Sequence, residues 1–386
     1  MTWRALLTSG LVCFCAGGLY GWSALIAPLQ AAYGVSTAQT GLVFSLAIAS
    51  FTLAVILTPQ LPWQTSTPRV VACFGLLGAA CVFAAVRAQG YVPFLLWFSG
   101  GFGAASGGIY IAALGVAALT PAHRIATPAM VAAFGTGSAV FGPVWRVMDA
   151  YGVGMGGLSM LAAGLLMSST CAAFAAAPAI SEKAQPPAGS SAAHPSESHS
   201  RKDLVVIWAV FAFGSFGGLM VLGLASKMMD AAQTSLTLAS FGLAGIAIGN
   251  TSGRLSVAFL SSHLRLEQCL FLAMAMTLYG LLSAAFPAGP AMLCVALILI
   301  ATGYGIVAST VPVVTRSVFG AAGFQKRFSF IFTAWGVAGF FAPWAGGAMF
   351  DASDSFRLPL LISALAAVFC CLMTWQLGRQ MAQSDT

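Results

Sequence analysis

Arg254 is the residue whose chemistry most needs an explanation, because it is a permanent cation in the middle of the apolar stretch FGLAGIAIGNTSGRLSVAFLSSH. A guanidinium near the centre of a bilayer costs about 2.5 to 3.5 kcal/mol on the lenient insertion scale, so it persists where it faces a cavity, a partner or an anion. It lies nine residues before His263, a candidate helix end, or about 14 Å along a helix, close to half of a ~30 Å hydrocarbon core. One turn earlier, at i−4 on the same face, stands Asn250, an amide that can hydrogen-bond an arginine or a substrate but cannot hold a proton. All nine acidic residues (Asp149, Glu182, Glu197, Asp203, Asp230, Glu267, Asp351, Asp354, Asp385) fall at span ends or in loops. The counter-charge for Arg254 is therefore expected from a substrate, whose carboxylate a guanidinium fork can grip with two charge-assisted hydrogen bonds.

Other chemistries find little material. The nine cysteines (13, 15, 73, 81, 171, 269, 294, 370 and 371) lie within apolar spans with no metal-ligand spacing, which reads as packing. The four histidines (123, 194, 199 and 263) lie in loops, in a linker or at a span end, so no metal site and no nucleophile with its base can be assembled. There is no phosphate-cradling glycine loop, so no nucleotide or other cofactor is expected and the chain is not read as an enzyme.

The elements that position these residues follow from composition. With 59% hydrophobic and 6% charged residues and a mean hydropathy of +0.92, the 386-residue chain is an all-α polytopic membrane protein. Twelve spans are expected, at 5–29, 38–58, 69–88, 92–119, 126–148, 153–177, 204–226, 236–262, 266–286, 290–316, 328–350 and 356–378. The first has a long core without a cleavage site and is read as an uncleaved helix. Threading the spans with both termini on one side puts eleven Lys and Arg there and four (Arg87, Arg146, Lys227, Arg357) on the other, so the termini are expected in the cytoplasm. That asymmetry accounts for the net charge of +7 without a nucleic-acid partner. The polar, Pro- and Ser-rich segment 178–203 cannot order itself around a core and is expected to be a flexible cytoplasmic linker between a six-helix half at 1–177 and another at 204–378, with a tail at 379–386.

The halves repeat. An offset of about 200 residues brings Gly17-Gly18-Leu19 onto Gly217-Gly218-Leu219, Gly41-Leu42 onto Gly242-Leu243, Gly101-Phe102-Gly103 onto Gly303-Tyr304-Gly305, and Ala133-Phe134-Gly135 onto Ala334-Trp335-Gly336. The mate of Arg254 is then Ala54. Parallel six-helix repeats joined by a long linker are the architecture of the major facilitator superfamily, which the chain resembles; that fold implies a midplane substrate site between halves that rock.

The segments LYGWSALIAPLQAAYGVS, FGSFGGLMVLGLASKM, GNTSGRLS and FIFTAWGVAGFFAPWAGG resemble, more narrowly, the oxalate:formate antiporter family, which is related to the monocarboxylate transporters. The resemblance implies that Arg254 binds a substrate carboxylate. It also implies a cavity walled by aromatics at Tyr20, Tyr110 and Trp335, with Tyr304 and Phe332 as further positions. In the oxalate exchanger of that family a lysine stands where this chain has Trp335. One cation matches one carboxylate, so a monoanion such as formate, lactate or pyruvate is the expected cargo, with oxalate still admitted. Arg146 is a candidate second cation for incoming anions, although its nearer account is a pair with Asp149 three residues on, or a head group extended to the interface. The loops LPWQTSTPR and SSHLRLEQ lack the acidic and basic residues of the usual superfamily lock.

The chain is thus expected to be a secondary carrier of small organic anions in the plasma or bacterial inner membrane, working as an exchanger or on a solute gradient, with a monomer as the working unit. The competing expectation is an efflux pump for neutral or cationic drugs. A cation pump would call for an acidic residue inside the membrane, and none is found.

Overall fold

The computed structural model describes residues 3–61, 67–118, 123–175 and 201–384. Most of the expected linker, with His194 and His199, lies outside the described residues, as do the loop residues 62–66. Every regular element described is helical, and a helix satisfies its backbone groups internally where no water is present to do so. Ten stretches are long and apolar enough to cross a membrane: Trp3–Tyr33 (α1), Thr37–Gln60 (α2), Pro68–Val86 (α3), Tyr91–Ala117 (α4), Gly154–Phe174 (α6), Arg201–Ala231 (α7), Leu266–Ala285 (α9), Pro290–Phe319 (α10), Arg327–Ser353 (α11) and Arg357–Arg379 (α12). Two further helices, His123–Ala150 (α5) and Leu236–His263 (α8), are 28 residues each. These two carry Arg146 and Arg254, and they pack on one another where the halves meet. The twelve helices expected from sequence are therefore present.

Three departures from plain α geometry matter. Helix α1 tightens to 3-10 geometry over Gly17–Leu25, around Tyr20. Helix α4 widens into a π segment over Leu96–Phe102. Helical backbone continues from α10 through the turn into α11, giving one run from Pro290 to Ser353, and α12 continues to Ser384, beyond the expected start of a tail.

The repeat seen in sequence is also a repeat of contacts. Gly305 of α10 sits on the backbone of Asn250 and Arg254 in α8, where a Cβ would have to displace main-chain atoms, and Gly103 of α4 sits likewise on Ala47 of α2. Gly218 of α7 leaves the space that the Tyr304 ring fills. Close approach of α8 to α10, with α7 behind, fixes where Arg254 and Tyr304 stand relative to each other. The nine cysteines carry no disulfides; six are buried, while Cys73 and Cys171 are exposed on the bundle surface. No cluster of three metal-ligating side chains occurs among the described residues.

Gly305→Val should cost about 1–3 kcal/mol by overpacking the α8–α10 contact, read as a lower melting temperature of the purified protein. Gly100→Ala, where an added carbon meets nothing within 4 Å, should leave the melting temperature unchanged. Equal melting temperatures for the two variants would contradict the close approach.

Candidate functional site

Arg254 projects from α8 toward the seam between the halves and is half-buried. Its Nε donates to Asn250 Oδ1 at 3.1 Å, and Nη2 donates to the Tyr304 hydroxyl at 3.4 Å, with the guanidinium carbon 5.5 Å from the Tyr304 ring centroid. Both partners are neutral. The tyrosines at 20, 110 and 304 all lie within electrostatic reach of the guanidinium. Arg146 pairs with Asp230 and Arg265 with Glu267, whereas Arg254 makes no ion pair among the described residues. Asn250 is fully buried. Its oxygen is committed to the arginine, and among the described residues its Nδ2 has no hydrogen-bond partner, which is costly for a buried donor, about 1–3 kcal/mol.

Aromatic rings surround this cation. From the amino-terminal half, Phe51, Tyr110 and Phe134 form a triangle with centroids 5.4 to 5.6 Å apart, and Tyr20 meets Phe134 edge-on at 5.1 Å. From the carboxy-terminal half, Phe332 packs on Trp335 at 5.2 Å, and the Trp335 indole N–H donates to the Tyr304 hydroxyl at 2.7 Å. Phe51 and Trp335 join the two groups across the seam at 5.5 Å. The structure thus brings together all seven residues expected from sequence: Arg254, Asn250, Tyr20, Tyr110, Tyr304, Phe332 and Trp335. It adds Phe51 and Phe134. Phe134 could have been found, since the repeat sets it against Trp335; Phe51 is one phenylalanine among 28, with no distinguishing signal.

A small cavity lies beyond Tyr20, on the Asp230 side, lined by Gly21, Ser138, Gly142, Leu222 and Leu243 among others. Past it the halves are fastened. The expected pairing of Arg146 with Asp149 is corrected here: the guanidinium crosses to α7, forming a bidentate ion pair with Asp230 and donating to Ser226 Oγ at 2.7 Å. The Asp230 carboxylate accepts both arms of the Arg146 fork and the Ser226 hydroxyl accepts from one of them, a charge-assisted bidentate pair. Lys227 donates to Gln30 at 3.4 Å and lies 5.4 Å from the Phe350 ring centroid. Asp351 of α11 accepts from the backbone N–H groups of Thr37 (2.9 Å) and Ala38 (2.6 Å) in the first turn of α2. There its charge also complements the helix dipole, beside the Ser36–Gln39 capping box. These contacts sit at one end of the bundle, and all but the Lys227–Phe350 approach tie one half to the other.

No protein-family model matches the chain, and no curated protein matches it either. Solved structures do. A bacterial homologue of the human lysosomal transporter Spinster, in its inward-facing and occupied conformation, superimposes with a TM-score of 0.74 at 13% identity, covering 97% of this chain and 96% of the other. The inward-facing, unoccupied form of the Spinster homologue gives 0.73 at 12% identity over 98% and 97%. The nucleoside transporter NupG gives 0.72 at 13% identity over 97% and 99%. The chain therefore has the polytopic major facilitator fold, and the proteins that share it here are membrane transporters.

If the fastened end is a gate, removing its carboxylate charges should loosen it. In an Asp230→Asn, Asp351→Asn double variant, a cysteine introduced at Ser138 should react severalfold faster with a thiol reagent added from that side. An unchanged rate would show that these contacts do not hold the end shut.

Proposed function

We propose that this protein is a secondary transporter that carries a small organic anion across the membrane by alternating access, and that its cargo is a monocarboxylate such as formate, lactate or pyruvate. The observation that carries this reading is the partner set of Arg254: a midplane guanidinium held by one amide and one phenol, with no carboxylate in ion-pair range among the described residues. A cation so placed is expensive when unpaired, and a substrate carboxylate is the group that would complete it. Donors predominate around it. Three guanidinium N–H groups and the free Asn250 Nδ2 remain to be used, and the aromatic rings exclude water and strengthen any ion pair formed inside.

A neutral cargo such as a nucleoside, the substrate class named for one structural neighbour, would leave the arginine unmatched, and a cationic drug would repel it. Charge also favours one carboxylate over two. The position that carries a lysine in the oxalate exchanger is Trp335 here, and its indole is hydrogen-bonded to Tyr304. Oxalate remains the second substrate to test on the strength of the sequence resemblance.

Sidedness follows from charge. With both termini cytoplasmic, as the Lys and Arg asymmetry implies, the end fastened by Arg146–Asp230 and Asp351 is the outward one. Because Asn250 cannot carry a proton, exchange or facilitated anion movement fits better than obligatory proton symport through the site.

In proteoliposomes loaded with labelled carboxylate, Arg254→Gln should reduce exchange at least about a hundredfold through loss of charge-assisted hydrogen bonds while the protein still folds and inserts. Asn250→Asp should do nearly the same by giving the arginine an internal counter-ion. Exchange retained in Arg254→Gln removes the arginine from its anchoring role.

A further inference from the structure

We infer that Trp335 is a positioning residue: its indole N–H fixes the Tyr304 hydroxyl so that the hydroxyl proton is presented to the substrate carboxylate beside Arg254. The inference rests on the carboxylate reading above and extends it to a residue that need not touch the substrate. An indole nitrogen can only donate, so in the 2.7 Å contact the Tyr304 oxygen is the acceptor however the hydrogens are placed. Arg254 Nη2, also a donor only, approaches the same oxygen at 3.4 Å. With N–H groups on both sides, the oxygen's acceptor capacity is filled and its own proton is turned away from both, to the side where the Tyr20 hydroxyl stands within hydrogen-bond reach and where a substrate carboxylate, the stronger acceptor, would replace it. A phenol holds that proton near its ring plane, and the Tyr304 ring is fixed, fully buried against Gly218.

The shorter contact sets the direction. Trp335 is itself held by Phe332 on its own helix and by Phe51 of α2 across the seam. Tyr304 then works as a donor, which an anion needs, and not as an acceptor that would repel one. Replacing tryptophan by another aromatic keeps the ring packing and removes the donor; the tyrosine hydroxyl would become free to turn its lone pairs toward the substrate site.

The test is a double-mutant cycle on counterflow in proteoliposomes, run with whichever of formate, lactate, pyruvate and oxalate the wild-type protein exchanges best. Trp335→Phe should raise KM about five- to tenfold, as expected for one misdirected hydrogen bond to a charged ligand, with the maximal rate within twofold of wild type. Tyr304→Phe should raise it to a similar extent. In the Tyr304→Phe background, Trp335→Phe should add less than twofold, because the hydroxyl it orients is gone. Multiplying effects, or a Trp335→Phe defect confined to maximal rate and melting temperature, would reduce Trp335 to packing and overturn the inference. Should Trp335→Phe fail to accumulate in the membrane, Trp335→Leu, which also lacks a donor, takes its place in the same cycle with the same expected outcome. A wild-type protein that exchanges none of the four anions removes the carboxylate reading and this inference together; exchange with an additive cycle removes only the inference.

Discussion

The structure turns on one guanidinium that the protein does not neutralise. Burying a charge without a partner is among the largest local costs a fold can carry, and here it is met by dipoles alone: the amide oxygen of Asn250 and the hydroxyl of Tyr304. The surrounding architecture is arranged about those two contacts. Gly305 lets α10 lie directly on α8 at Asn250 and Arg254, and Gly218 gives the Tyr304 ring its place against α7. Trp335 and Phe51 then close the aromatic wall from α11 and α2. The two halves contribute unequally. The carboxy-terminal half supplies the cation and its hydrogen bonds, while the amino-terminal half supplies mainly rings, with Ala54 where the repeat places the mate of Arg254.

The charged groups that join the halves are arranged by the opposite rule, each with a partner. Arg146 meets Asp230 across the seam, and Asp351 takes two backbone N–H groups of α2. These pairs lie at one end of the bundle, separated from Arg254 by the small cavity beyond Tyr20. In the carrier proposed above, contacts of this strength at one end are what a second conformation would have to break, and their moderate, partly exposed character suits that role.

Much of this was legible in the sequence because the membrane simplifies the code. Apolar length gives most of the twelve helices, and the constant offset between halves gives the repeat, since both depend on local composition. Arg254 and Asn250 were legible for the same reason: a polar group at mid-span is conspicuous against 59% hydrophobic residues. The partners were not. The nearest acid to Arg146 along the chain is Asp149, yet the acid it binds lies 84 residues away, and helix spacing carries no information about which face meets the other half. Phe51 is indistinguishable in type and context from phenylalanines that face lipid, such as Phe83 or Phe259. The continuity of helix between α10 and α11 was hidden as well, since Arg316, Lys326 and Arg327 mark the ends of spans without showing whether the backbone between them unwinds.

The central claim is that the cargo supplies the missing negative charge. The most direct measurement compares, in one preparation of proteoliposomes, how unlabelled lactate and its uncharged amide, lactamide, drive counterflow of labelled lactate. The two differ little in size and shape, so the comparison isolates charge. The account predicts that lactate drives counterflow and that lactamide does not, even at a hundredfold excess. Equal counterflow with both, or counterflow by lactamide alone, would contradict it.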